Sequence, residues 1–97
     1  MASRITVDKE MGITHAEFFR VMSRALNGRN SRFSETGVTV EDTGKKLTIT
    51  LSEERERRIA LMAVPATDVR LQFDGYSPAE IDDTVAWFDR WFQRGGG

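Results

Sequence analysis

The chain of 97 residues has no cysteine, a single histidine and only two prolines. Without cysteine there is no disulfide framework, no thiolate nucleophile, no thiolate zinc site and no cysteine-held iron–sulfur cluster. One histidine excludes a histidine-cluster metal centre within one chain. No catalytic residues, metal ligands or cofactor are therefore expected. Long apolar runs are missing too: nothing approaches the roughly 20 residues of a membrane span, so no membrane partner is expected. Nor is there an excess of positive charge. The net charge is −1, which argues against nucleic acid as the main partner. Met1-Ala2-Ser3-Arg4 leads straight into a strand-like alternation with no apolar leader, so a cytoplasmic location is expected.

What is present suits one soluble α+β domain. Hydrophobic residues make up 39% and charged residues 30% of the chain, which is ordinary for a globular protein with one core. Residues 1–94 are expected to fold, with Gly95-Gly96-Gly97 as a flexible tail. Arg4-Ile5-Thr6-Val7 alternates as a half-buried strand does. Thr14-His15-Ala16-Glu17 reads as a capping box that opens a helix to about Leu26, with Phe18, Met22, Ala25 and Leu26 on one face. Asn27-Gly28 stops it, and Gly28 to Glu35 is a polar loop holding Phe33. Val38 and Val40, then Leu47, Ile49 and Leu51, alternate on either side of Asp42-Thr43-Gly44, a three-residue hairpin turn.

Residues 53–63 are ambiguous. Helix propensity is good, but Ser52 to Arg58 offers no apolar stripe to bury. The spacing favours a strand over Ile59–Val64, a turn at Pro65-Ala66-Thr67-Asp68, and a strand through Val69, Leu71 and Phe73. A second capping box, Ser77-Pro78-Ala79-Glu80, starts the last helix. It carries Ile81, Val85, Phe88 and Phe92 on one side, with Trp87 and Trp91 beside them.

The expected order is β-α-β-β-β-β-α, an antiparallel sheet of about five strands with both helices on one face. In topology this resembles the TATA-binding-protein-like fold; a helix at 53–63 would instead give a ferredoxin-like order with an extra C-terminal helix. Neither resemblance implies a function.

Local charge gives the leading functional expectation. From Phe18 to Ser34 there are four arginines, Arg20, Arg24, Arg29 and Arg32, and no carboxylate. Guanidinium groups around Phe33 suit an acidic protein surface or a small anion. Trp87 and Trp91 stand about 80–100° around the helix from its apolar stripe, and suit a partner or a homodimer contact. The uncovered sheet face, with Thr6, Thr39, Thr48, Thr50, Ala60, Met62, Arg70 and Gln72, is a third candidate. The expected function is a small non-catalytic binding module. The alternatives are an enzyme or carrier using His15 or the glycine tail, whose diglycine end resembles that of ubiquitin-like carriers, and a weak nucleic-acid binder. Asp42-Thr43-Gly44 matches the aspartic-protease triplet, but a hairpin turn accounts for it.

Overall fold

The alternation of Val38 and Val40 with Leu47, Ile49 and Leu51 builds the centre of the sheet. The structure, a computed structural model, describes residues 4–93. Within them lie β1 (Arg4–Met11), α1 (His15–Ala25), β2 (Ser31–Ser34), β3 (Gly37–Asp42), β4 (Lys45–Leu51), β5 (Arg55–Ile59), β6 (Met62–Asp74) and α2 (Pro78–Gln93). The sheet order is β1-β6-β4-β3-β2, every pairing is antiparallel, and β5 pairs with β6 beyond that path. Both helices cover the face that carries Val38, Val40, Leu47, Ile49, Leu51, Val69, Leu71 and Phe73, all buried.

Phe18, Met22 and Leu26 of the first helical segment and Phe88 of α2 complete the core. Each such side chain contributes about 1.5–3 kcal/mol by leaving water. The helices meet through rings. Phe33 lies 6.1 Å from Phe19, Phe19 5.4 Å from Phe18, Phe18 5.7 Å from Phe92 and Phe92 4.7 Å from Phe88. Offset and edge contacts of this kind add about 0.5–1.5 kcal/mol beyond area burial.

Both helix starts are capped, but differently. At α2 the box is complete: the Glu80 amide donates to Ser77 Oγ at 3.2 Å, and the Ser77 amide donates to Glu80 Oε1 at 2.8 Å. At α1 only half of the expected box forms. The Glu17 amide donates to Thr14 Oγ1 at 3.1 Å, the return bond from the Thr14 amide to the Glu17 carboxylate is not made, and the next amide, His15, donates to Glu54 Oε1 at 2.6 Å. A carboxylate 39 residues away in sequence thus helps cap the first helix.

Three local expectations are corrected. The polar loop 28–35 contains β2, whose residues Ser31–Ser34 pair with β3. The first hairpin closes on the pair Asp42↔Lys45, leaving a two-residue loop, Thr43-Gly44; Gly44 has φ of 72°, open to glycine at no steric cost. The second hairpin exists with its turn moved. Ile59 faces Met62, so the turn is Ala60-Leu61, in the middle of the expected strand, and the expected turn Pro65–Asp68 lies inside β6. Consequently Ala60 and Met62 do not belong to the uncovered sheet face. Residues 53–63 contain β5, this turn and the first two residues of β6, with no helix.

The long strand β6 explains the displacement. β4 pairs with it down to Leu51↔Val69, and β5 resumes at Arg55↔Ala66. Four steps on one strand match three on the other, which is a β-bulge. The Ser52 amide donates to the Asp68 carbonyl at 2.9 Å, and the Asp68 amide donates to Ser52 Oγ at 2.9 Å, so the bulge is held from both sides. β4 and β5 are therefore one strand with a break. Together with β6 they form a long hairpin whose far end leaves the sheet as an arm. The molecule measures 49 × 25 × 24 Å. Pro65 is tolerated because β6 has only β5 beside it there, so no second ladder needs its missing N–H.

Gly37 is required by close approach. It is buried in β3, and a Cβ there would collide with the Ile49 carbonyl. Thr67 is the only polar residue fully buried among the described residues, and its Oγ1 donates to the Ile13 carbonyl at 2.9 Å. That bond ties β6 to the link between β1 and α1.

Candidate functional site

The helix that ends at Leu26 delivers Arg29 to the covered side of the sheet. The Leu26 carbonyl accepts from the Arg29 amide at 2.9 Å, and Gly28 makes the preceding bend with φ of 84°. The Arg29 guanidinium then lies 5.7 Å from the centre of the Trp87 ring, within reach for a cation–π contact. Leu26, Val40 and Leu47 line a small cavity of about 130 Å³ beneath this pair, with Asp83 and Thr84 on its α2 wall. One expected arginine and one expected tryptophan are thus brought together.

The remaining expected residues are distributed. Arg20 and Arg24 are exposed on α1. Phe33 leans toward Phe19 on the covered face, still 41% exposed. Arg32 pairs across from Thr39 and so points to the opposite, uncovered face, where it shares a shallow groove with Asn30, Glu41 and Lys46. Arg29 and Arg32 therefore serve different sides of the sheet. Trp87 and Trp91 are both half-buried.

The uncovered face is polar. Thr6, Gln72, Thr48, Thr39 and Arg32 form one row across five strands. Next to it, Arg70 Nε donates to Asp8 Oδ1 at 2.8 Å. A groove of about 640 Å³ runs from there to the base of the arm, lined by Glu10, Thr50, Ser52, Asp68 and Arg70. Its charges are already matched. Arg55 holds Asp68 through both carboxylate oxygens, at 2.8 and 3.0 Å, and Glu10 at 2.8 Å; Arg57 also meets Glu10. The Arg55 hydrogen bonds keep the Asp68 carboxyl below its ordinary range. A site that binds an anion needs cationic groups without such partners.

His15 is held as a link. Its Nε2 donates to the Ser52 carbonyl at 2.7 Å, joining α1 to the bulge. Among the described residues no group of three metal-binding side chains comes together, and no helix is long and apolar enough to cross a membrane. The glycine tail lies outside the described residues.

Sequence reasoning did not find the arm. Its tip exposes Leu61 by 97%, Met62 by 66% and Ile59 by 56%. Ala60 turns the corner with φ of +56°, a left-handed conformation that costs a non-glycine residue roughly 1 kcal/mol. The available signal was a continuous apolar run directly after a charge run, which read equally well as a buried strand. Comparison with protein-family models, with curated proteins and with solved structures finds no match.

Proposed function

We propose that the protein is a non-catalytic interaction module that binds an acidic segment of a protein partner at the corner formed by α1, Arg29 and Trp87. The observation that carries this is the Arg29 guanidinium over Trp87 at the mouth of an apolar cavity. Arg20 and Arg24 extend the positive charge along the neighbouring helix face, with no carboxylate between Phe18 and Ser34. Asp83 on the cavity wall opposes a free small anion. A protein segment suits the corner better, since it supplies an apolar anchor for the cavity and carboxylates for the exposed guanidiniums. A TATA-binding-protein-like topology is a related proposal: it is supported by the element order β-α-β-β-β-β-α that results when β5 is counted as β4 continued, and by the strand and turn at 53–63 where the ferredoxin-like alternative needs a helix.

Selection of displayed peptides on the immobilised protein tests the function. Enrichment of sequences that combine Asp or Glu with a large apolar residue is expected. Reversing the exposed charges with Arg24→Glu and Arg29→Glu should weaken the selected peptides by about tenfold or more, or about 1.4 kcal/mol. An enriched set with no acidic bias, or unchanged affinity after charge reversal, would overturn it.

A further inference from the structure

We infer that two copies of this chain associate by exchanging arms, the tip of each β5–β6 arm entering the groove between β1, α1 and α2 of the other. The groove has a volume of about 350 Å³. Its floor is apolar, from Met11, Ile13, Val21 and Phe92, and its rim is acidic, from Glu17 and Asp89. The tip has the matching character: Ile59, Leu61 and Met62 are exposed, with Arg57 and Arg58 directly behind them. Among the described residues Arg58 and Glu17 take part in no ion pair. Asp89 is neutralised on one side by Lys9 at 3.0 Å and stays 42% exposed. Apolar surface inside and opposite charges at the rim are the arrangement of a specific interface.

The position of the groove makes the exchange reciprocal. Gly12 lines it and also touches the base of the arm: a methyl on Gly12 would meet Val64 Cγ1 at 3.7 Å and the Pro65 carbonyl at 3.6 Å. The arm runs on through five paired residues to its turn, about 17 Å at 3.3–3.4 Å per residue. A two-fold axis through the middle of two antiparallel arms places each tip beside the other's base, where the groove lies. Such a contact is closed, with both tips covered and no third copy recruited. Pro65 on the outer edge of β6 interrupts ladder formation there, so side chains rather than an added strand make the contact.

The absence of cysteine permits a direct test in the full chain. Leu61→Cys and Val21→Cys variants are prepared separately, mixed and mildly oxidised. A covalent dimer containing one copy of each is expected. Light scattering across concentration should also show a dimer that Leu61→Glu or Glu17→Arg weakens at least about tenfold. Arg58→Glu combined with Glu17→Arg should recover part of the loss. Dimers joined only tip to tip through Leu61→Cys, or a protein that stays monomeric at every concentration, would overturn the inference. So would a monomer that cosediments with phosphatidylserine vesicles through the same tip.

Discussion

Between Val69 and Phe73, β6 has β4 on one side, β1 on the other and two helices over one face; between Met62 and Ala66 it has β5 alone. In the first half every second residue is fully buried: Val69, Leu71 and Phe73. In the second half Met62 and Ala63 are exposed. The first half is held by apolar burial, which is non-directional and large. Base-of-arm ion pairs hold the second: Arg55 on Asp68 and Glu10, and Arg57 on Glu10. Exposed pairs of this type contribute little, because water screens the charges. One continuous strand is thus firmly fixed at one end and weakly at the other. The weakly fixed end carries the exposed apolar residues, which is where an element that docks on another surface is expected to lie.

The contrast is broken most strongly by truncating one large apolar side chain on each side of it. Phe88→Ala removes a fully buried aromatic from the α2–sheet junction and should cost about 3–5 kcal/mol. Leu61→Ala removes a side chain that touches almost nothing within its own chain and should change monomer stability by no more than about 0.5 kcal/mol. Chemical denaturation of both variants at low protein concentration checks the pair. A smaller effect is expected at the boundary. Thr67→Val keeps the volume but leaves the Ile13 carbonyl without its donor, for a loss of about 1–3 kcal/mol by the same measurement.

The same contrast decides what could be read from the sequence. The β3–β4 hairpin and α2 were legible because burial writes a period: Val38 and Val40, Leu47 to Leu51, and Ile81, Val85, Phe88 and Phe92 all turn to one side. Ser77 and Glu80 were legible because a capping box is local. β5 was not, because all five of its residues are exposed and its partners Glu10 and Asp68 are 45 and 13 residues from Arg55. β2 escaped for the same reason, being a short edge strand defined by its pairing with β3. Pro65 reads as a turn unless one knows that only one neighbour flanks it. At the candidate site, the arginine cluster was plain from composition. That Arg29 and Arg32 face opposite sides depended on β2 being a strand, since directly paired residues share a face and Arg32 stands opposite Thr39 rather than opposite a core valine.

Acid should act on the two halves differently, and the sign follows from Asp68. Its carboxyl is held low by the Arg55 hydrogen bonds. Its contribution is therefore present above the unfolded carboxylate value of about 4 and is lost as pH falls through the lower folded value. Glu80, held low by the Ser77 amide and then by Lys45, adds the same sense of dependence at the start of α2. The apolar contacts around Val69, Leu71 and Phe73 have no titrating group of their own.

Amide hydrogen exchange along β6, corrected for intrinsic rates and recorded on dilute protein at neutral pH and again below about pH 3, measures the difference on a single strand. Amides from Val69 to Phe73 are expected to exchange only with global unfolding. Those from Met62 to Ala66 (Pro65 has none) should exchange by a cheaper local opening that acid makes cheaper still. Equal protection along the whole of β6, unchanged in its distribution by acid, would contradict the division of this hairpin into a core-held sheet and an ion-held arm.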